Sequence, residues 1–305
     1  MRLKIRRVVK WGVPIIVVLL VVIYGFISYM IASGITKYDR RPQEDNPAAY
    51  NLQFEDVEFV SRDGDVSLSG WYIPGESGKP TLIFVHGIGS LRSGDNAVDL
   101  ASQLVERGFN ILLFDLRGHG SSGGDRISGG YFEQNDVLGA FDFLVQRGIS
   151  SDDIGVIGFS MGAGTAIMAA VEEPAIQALV ADSPYAKVSD LLASETARKT
   201  VFPEWISPVF IPAVKIMARS LYGIDIGALV PEEAVQELSY PILVIHGMAD
   251  TRIPCDHGER VHREAHPESI IWLLPEVDHV DAFLMYPEEY VQRVTSYFNR
   301  QLSTE

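Results

Sequence analysis

Short apolar runs alternate with helical patterns along most of this 305-residue chain, and this alternation limits the fold more than any other feature. Each run is short and continuously apolar, which is typical of a strand buried on both faces. The runs are Thr81–Val85, Asn110–Phe114, Ile154–Ile157, Ala178–Ala181, Ile242–Ile245 and Ile270–Leu274. Between and after them, helical patterns cover residues 95–107, 134–147, 161–172, 256–265 and 287–302. Such a succession predicts a mainly parallel sheet with helices on both faces, joined by right-handed crossovers.

Two further strands precede these. Val57 to Ser61 and Val66 to Ile73 alternate in strand fashion around the turn signal Arg62-Asp63-Gly64-Asp65. This pattern predicts an antiparallel hairpin. The chain is therefore expected to form an α/β domain with an eight-stranded, mainly parallel sheet over residues 54–305.

A buried strand turns sharply into a helix at Gly158-Phe159-Ser160-Met161-Gly162. In a nucleophile elbow, the strained turn holds a serine hydroxyl above the edge of the sheet. Glycine suits positions 158 and 162 because strand and helix backbones nearly touch there. Ser160 is therefore the candidate nucleophile.

The same spacing recurs at Gly120-Ser121-Ser122-Gly123-Gly124. No helical pattern follows Ser122, which lies among glycines, so this match is interpreted as a loop. The alternative for Ser160 is a small residue in an ordinary strand-to-helix turn.

The first 41 residues differ in character from the rest. Residues 11–36 contain no formally charged side chain, and about 20 apolar residues suffice to cross a bilayer as a helix. We predict a cytoplasmic basic segment at 1–10, a transmembrane helix at 11–34 and a tether at 35–53. Five Lys or Arg residues precede the apolar run and three follow it closely, which favours a cytoplasmic N-terminus and an extracytoplasmic domain.

A cleavable signal peptide is the alternative to this signal-anchor, since Ala32 and Gly34 offer small residues at a spacing that a peptidase accepts. Cleavage would release a secreted protein. No Cys follows the run, so a lipoprotein attachment site is not expected.

The net charge of −15 is unevenly distributed, because residues 42–305 hold 17 basic and 39 acidic side chains. Nucleic acid is therefore not an expected partner, and this charge favours a body that stands off anionic lipid. Cys255 is the single cysteine, so no intramolecular disulfide can form.

Reactive side chains follow several strands, at the sheet edge where α/β proteins bind ligands. They are His86, Ser160, Asp250 and His279. The chain here resembles the α/β-hydrolase family, from about residue 55 to the end. The matching motifs are Val85-His86-Gly87, Asp115-Leu116-Arg117-Gly118-His119-Gly120-Ser121, the elbow, and His246-Gly247-Met248-Ala249-Asp250 with Ile253-Pro254.

Asp182-Ser183-Pro184-Tyr185 and the N-terminal helix look like a bacterial branch near the prolyl-oligopeptidase-like and lysophospholipase-like hydrolases.

A serine nucleophile requires a base within hydrogen-bonding reach and a carboxylate behind that base. His279, on the loop after the last strand, is the candidate base. Asp250 is the candidate acid because it stands where the resemblance places that residue, and Ser160, Asp250 and His279 then follow the family's chain order. Four other carboxylates are rivals for the acid: Asp182, Asp256, Asp278 and Asp281.

The other histidines are interpreted as structural or solvent-facing. The spacing of His262 and His266 could hold a metal, but no Glu stands in the metalloprotease register, so a solvated helix face is favoured. Asp115 and Arg117 are expected to pair and to order the glycine loop.

Attack by serine turns the substrate carbonyl oxygen into an anion that two backbone N–H groups must meet. The candidates for this oxyanion hole are the N–H groups of Ile88 and Met161. Met161 would begin the elbow helix, where free N–H groups favour negative charge.

A small cap is expected at about 183–239, because nearly 60 residues separate two consecutive strands. Its aromatic and apolar residues include Phe202, Trp205, Phe210 and Met217. They either pack the cap onto the body or line an acyl pocket.

Three functions remain open. The first is a membrane-anchored serine hydrolase that cleaves carboxylic esters, acyl or lipid-like, through a Ser-His-Asp triad and an acyl-enzyme. The second is a serine peptidase of the prolyl-oligopeptidase-like type acting on short peptides, and the third a non-catalytic tethered binding protein. No cofactor or metal is expected, because the chain has neither a phosphate-binding glycine fingerprint with its acidic partner nor a credible cluster of metal ligands.

Overall fold

The computed structural model describes residues 2–43 and 45–302, which divide into two compact units. One unit comprises residues 37–188 and 228–305, and is called the body here. The other comprises residues 1–36 and 189–227, and is called the anchor–cap unit.

The body contains one eight-stranded sheet. Its strands are β1 (Glu55–Val60), β2 (Ser67–Ile73), β3 (Thr81–Val85), β4 (Asn110–Phe114), β5 (Ile154–Phe159), β6 (Leu179–Asp182), β7 (Leu243–Gly247) and β8 (Ile270–Leu274). Their order is β1-β2-β4-β3-β5-β6-β7-β8. β1 and β2 form the predicted antiparallel hairpin, β2 also runs antiparallel to β4, and the other neighbours are parallel. The predicted mainly parallel sheet of eight strands is confirmed.

The helices of the described residues are α1 (Arg2–Ile35), α2 (Ala97–Val105), α3 (Glu133–Gln146), α4 (Met161–Glu172), α5 (Val188–Lys199), α6 (Ile211–Tyr222), α7 (Pro231–Ala234), α8 (Asp256–Glu264), α9 (Ala282–Met285) and α10 (Pro287–Gln301). Short 3-10 turns lie at Pro47–Tyr50, Ser151–Asp153, Ser207–Val209, Ile226–Ala228 and Val235–Glu237. The five helices predicted in the body are present, with ends that differ by at most two residues.

Two apolar cores cover the two faces of the sheet. One combines strand residues such as Val85 and Val156 with α3, α4 and α8, and the other combines Leu113 and Ile157 with α2, α9 and α10. β5 is buried along its whole length, because it lies in the middle of the sheet between these two layers. The strand that carries the elbow is therefore held by packing on both of its faces.

In the anchor–cap unit, the C-terminal half of α1 packs against α6. Ile31, Ala32, Phe210 and Val214 form a buried apolar cluster between the two helices. Within α1, Trp11–Ile35 is apolar and long enough to cross a membrane, with a mean hydropathy of 2.8. A signal sequence passes the same test of length and composition.

Candidate active site

The elbow has the strained geometry that its sequence predicts. Ser160 adopts φ 56° and ψ −118°, a region that residues with a side chain rarely occupy. A Cβ on Gly158 would lie 2.7 Å from the Cα of Ala163, and one on Gly162 would overlap the carbonyl oxygen of Val85. Both glycines are therefore required by the close approach of β5, α4 and β3. The turn places Ser160 just before the first residue of α4.

The three candidate residues meet at this turn. Nε2 of His279 lies 2.8 Å from Oγ of Ser160, and Nδ1 of His279 lies 2.7 Å from Oδ2 of Asp250. Asp250 follows β7, and His279 follows β8 on a loop in which Val280 has a φ of 61°. Since the carboxyl ends of parallel strands share one edge of a sheet, residues 119 positions apart come into contact.

Asp250 is held by more than the imidazole. Its Oδ1 accepts hydrogen bonds from the N–H groups of Arg252 (2.8 Å) and Ile253 (2.7 Å). Nε2 of the buried His246 lies 3.4 Å from Oδ2. Burial by itself would raise the pKa of Asp250, but hydrogen bonds from His246, His279 and the backbone outweigh it and hold the pKa well below its usual range. The carboxylate is therefore ionised and fixes the proton of His279 on Nδ1, which leaves Nε2 free to accept from Ser160.

The rival carboxylates have other partners or positions. Asp182 is fully buried, accepts a 2.9 Å hydrogen bond from the Tyr290 hydroxyl, and has its pKa raised to about 6 by burial. Asp278 accepts from the backbone N–H of Thr251 at 2.8 Å. Asp256 begins α8, and Asp281 directly precedes α9. Asp278 also accepts from the backbone N–H of His279 (2.8 Å), but of the five candidate carboxylates Asp250 is the one hydrogen-bonded to the His279 imidazole.

The loop after β3, residues 86–90, lies beside the elbow. A Cβ on Gly87 would lie 3.1 Å from Cβ of Ser160, so the loop backbone passes directly over the serine. Gly89 donates its N–H to Nε2 of His119 (3.1 Å), and Ser90 donates to the carbonyl of Gly87 (3.1 Å). The N–H of Ile88, the first candidate oxyanion donor, directly precedes these two N–H groups, both of which already have acceptors. Met161, the second candidate, is the first residue of α4.

The segment after α1 packs onto this loop and was missed by the sequence interpretation. Residues 38–43 are named the N-terminal strap here. The Tyr38 ring stacks on His119, with ring centroids 6.2 Å apart, and fills the space beside the backbone of Gly89. The Arg41 guanidinium donates to the carbonyl of Gly89. The strap therefore contacts the loop that carries Ile88, in a part of the chain that was expected to be only a tether.

Arg40 ties the strap to the glycine loop at residues 118–124. Its guanidinium donates to the carbonyls of Gly120 (2.9 Å), Gly124 (2.7 Å) and Ser122. Hydrogen bonds from one arginine to several backbone carbonyls leave no recognisable pattern in a sequence. Arg40 was therefore interpreted only as a positive charge flanking an apolar run.

Ser122, the alternative elbow serine, lies in this loop. Its hydroxyl accepts from the N–H of Ser69 (2.9 Å) and donates to the carbonyl of Asp115. The interpretation of this segment as a loop is therefore correct.

The expected Asp115–Arg117 pair is wrong. Arg117 donates instead to Asp136 (2.7 Å) and Asp63 (3.1 Å), while Asp115 accepts from the N–H of Arg92 (2.9 Å). Asp115 does order the glycine loop, because it also accepts from the N–H of Ser121 (3.0 Å). Residues 115–117 lie in the loop after β4, where no regular periodicity fixes which side chains meet.

The remaining histidines bond to the backbone. The N–H of Leu116 donates to His86 (3.0 Å) and that of Ala186 to His257 (3.0 Å). His262 bonds the carbonyl of Ser269 (3.0 Å). Across residues 2–43 and 45–302, no group of three or more His, Cys, Asp or Glu side chains could hold a metal ion.

The four candidate pocket residues lie in the anchor–cap unit. Phe202, Phe210 and Met217 pack in the cluster between α1 and α6, and Trp205 is 79% exposed. Their packing partner within this unit is α1, an arrangement that the sequence interpretation did not consider. A role in a substrate pocket stays a prediction.

Comparison with known proteins finds sequences and structures that resemble this chain. Residues 76–224 match the family model described as serine aminopeptidase, S33. The structure of the Pyrococcus furiosus esterase Pf2001 superposes with a TM-score of 0.71 at 28% identity, over 87% of this chain and 99% of that one. The protein therefore has the α/β-hydrolase fold, and its likeness to the esterase supports a hydrolase.

Among curated relatives, the protein YfhR of Salmonella typhi is 27% identical over 98% of both chains. The lysophosphatidylserine lipase ABHD12 of Danio rerio is 24% identical over 66% of this chain and 51% of its own length.

Proposed function

We propose that this protein is a membrane-anchored serine hydrolase that cleaves carboxylic esters with an acyl or lipid-like acid part. The observation that carries the proposal is the unbroken hydrogen-bond chain from Ser160 through His279 to Asp250. A base at 2.8 Å from the hydroxyl and a carboxylate at 2.7 Å from the base provide the arrangement that activates serine as a nucleophile.

In the first half of the reaction, Oγ of Ser160 attacks the ester carbonyl carbon while its proton passes to Nε2 of His279. The ionised Asp250 stabilises the resulting imidazolium. Collapse of the tetrahedral intermediate breaks the bond to the leaving alcohol, which receives the proton from His279. The acyl group remains on Ser160 as an ester.

In the second half, a water molecule gives a proton to His279 and attacks the acyl carbon. The acid product leaves and the proton returns to Oγ of Ser160. In both halves, the N–H groups of Ile88 and Met161 are the proposed donors to the oxyanion, and each such donor contributes about 3 kcal/mol to the transition state.

The relatives support esters as the substrate class. The Pyrococcus furiosus neighbour is an esterase, and ABHD12 is a lysophosphatidylserine lipase. Purified enzyme should hydrolyse p-nitrophenyl esters, with kcat/KM that rises with acyl length. Hydrolysis that is absent for every chain length, with the protein still folded, would contradict the proposal.

A peptidase is the second candidate, and the description of the matching family model as a serine aminopeptidase favours it. Aminoacyl amides and esters of the same acid, tested side by side, separate the two. Equal or higher kcat/KM for the amides would favour the peptidase.

We propose further that Trp11–Ile35 of α1 is an uncleaved anchor, with a cytoplasmic N-terminus and an extracytoplasmic body. The apolar segment and its more basic N-terminal flank support this orientation. Mass analysis of protein from the membrane fraction should find residues 11–35 still attached. A chain that begins near Ile35 would show instead a cleaved signal and a secreted enzyme.

A further inference from the structure

The C-terminal half of α1 packs against the cap of the same chain, at a depth where a membrane anchor would normally face lipid. Tyr24 stacks on Phe210, with ring centroids 5.6 Å apart, and its hydroxyl donates to the carbonyl of Val209 (2.9 Å). Further along α1, Ile31 and Ala32 are buried against Phe210 and Val214. The contact with the cap therefore begins at Tyr24.

The length of a transmembrane helix indicates how deep in the bilayer this contact lies. A helix that rises about 1.5 Å per residue needs about 20 residues to cross the hydrocarbon core. Lys10 directly precedes the apolar segment, so a span starting at Trp11 ends near Met30. Tyr24 to Met30 covers about 10 Å of that span. A cap that packs on Tyr24 must therefore enter the outer part of the same bilayer.

The cap surface has the composition that such a depth demands. Five large apolar side chains in residues 201–221 are exposed: Val201 at 95%, Trp205 at 79%, Ile216 at 66%, Val209 at 59% and Leu221 at 55%. Exposed apolar side chains grouped in so short a segment mark a site of contact with a membrane or a protein. A tryptophan among them suits the interfacial belt.

The cap and the body also differ in net charge, and the difference agrees with a cap that contacts lipid. Residues 189–227 carry four acidic and four basic residues, so the excess of acidic residues beyond position 41 lies outside the cap. Arg219 forms an ion pair with Asp225 (3.4 Å). Long basic side chains near a membrane can reach the lipid headgroups while their aliphatic stems stay in apolar surroundings. Neutral charge removes the repulsion from anionic lipid that an acidic surface would meet.

We propose that residues 201–221 of the cap are seated in the outer leaflet beside α1, with Val201, Trp205 and Ile216 in contact with the lipid. The occupant of this apolar surface is the bilayer, because the cap packs against a stretch of α1 whose other apolar side chains, such as Phe26 and Met30, are exposed. The inference rests on the proposed anchoring of α1 and does not require the proposed chemistry. The sequence alone had favoured a whole outer domain that stands off the membrane.

Site-directed labelling in phospholipid nanodiscs tests the proposal. In full-length protein with Cys255→Ser, an environment-sensitive fluorophore is attached at Val201→Cys or Ile216→Cys. Val18→Cys, on an exposed position of α1, is the positive control, and Val145→Cys, on an exposed position of α3 in the body, is the matched control. Lipids that carry a nitroxide on the acyl chain should quench positions 18, 201 and 216, and leave position 145 bright.

Two outcomes overturn the proposal. One is quenching at 201 and 216 by a water-soluble nickel chelate to the same extent as at 145. The other is quenching by nitroxide lipids at 18 but not at 201 or 216. Fluorophosphonate labelling of each variant shows that the body is folded. If lipids quench the cap positions but the body does not react with the fluorophosphonate, the proposed chemistry is contradicted and this inference is not.

Discussion

The N–H of Gly89 donates a 3.1 Å hydrogen bond to Nε2 of His119, and this bond fixes the loop that carries the proposed oxyanion donor Ile88. Nδ1 of His119 lies 2.9 Å from the carbonyl of Arg117, which settles the tautomer, since Nδ1 must then carry the proton. Burial, reinforced by the neighbouring His86, lowers the pKa of His119 to about 4. The ring is therefore neutral at the pH of catalysis and remains an acceptor.

Replacing His119 by Phe keeps a ring in this place and removes the acceptor. We expect kcat to fall about fivefold while KM changes little, because a neutral hydrogen bond of about 1 kcal/mol positions the loop in the transition state. Steady-state kinetics on one p-nitrophenyl ester measures this. His262→Phe is the control, since it also removes a hydrogen bond to the backbone but lies on α8. Equal effects of the two substitutions would show that His119 has no positioning role.

The N-terminal strap should also contribute to catalysis. Arg40→Gln removes a guanidinium that donates to the carbonyls of Gly120, Ser122 and Gly124 in the glycine loop. We expect a fall in kcat. We also expect weaker binding of a boronic acid that forms a tetrahedral adduct with Ser160. The control is Arg107→Gln, where an exposed arginine donates to a single carbonyl, that of Gln103. Unchanged affinity for the boronic acid in Arg40→Gln would contradict this role.

The elbow should not tolerate a methyl group at position 162. Gly162→Ala places a Cβ on the Val85 carbonyl oxygen, so we expect a loss of stability of about 3 kcal/mol, or no soluble protein. Gly227→Ala is the matched control, because the one neighbouring atom within 4 Å is a side-chain oxygen of Asp225. Thermal unfolding followed by circular dichroism compares the two. A Gly162→Ala protein as stable as the control would disprove the close approach of α4 to β3.

The lowered pKa of Asp250 predicts a specific dependence of stability on pH. A carboxyl whose pKa is lowered by folding stabilises the native state above its unfolded pKa of about 4, and loses this contribution as pH falls below that value. The free energy of unfolding of the wild type should therefore exceed that of Asp250→Asn at pH 5, and the difference should shrink as the pH is lowered below about 4. Urea unfolding at a series of pH values measures it, and a difference that grows on acidification would be contrary to the cited shift.

Sequence patterns were sufficient for the sheet because it depends on features that recur along the chain. The apolar runs that became β3 and β4 have the predicted bounds, and the glycines around Ser160 were identified by their spacing. His279 could be selected because it follows the last strand, and Asp250 because it follows the strand before it, where the resemblance to the α/β-hydrolases places the acid. Their contacts require only the general geometry of parallel strands.

The contacts that were missed depend on particular side chains meeting across irregular segments. Arg40 binds carbonyls, which every residue carries, so nothing in the sequence distinguishes its partners. Arg117 lies in a loop and pairs with Asp136 and Asp63, and no sequence pattern favours these carboxylates over the nearby Asp115. The packing of Phe210 against Tyr24 joins residues far apart in the chain, and apolar composition alone did not indicate which surface would cover the cap.

Covalent labelling with a fluorophosphonate, followed by mass mapping of the modified peptide, tests the central claim most directly. The Ser160–His279–Asp250 geometry predicts a single adduct on Ser160, absent in Ser160→Ala and formed at least a hundredfold more slowly in His279→Gln, since the general base contributes about 10²–10⁴-fold. Folded wild-type protein that forms no adduct at Ser160, or that labels equally fast when His279 is replaced, would contradict the account.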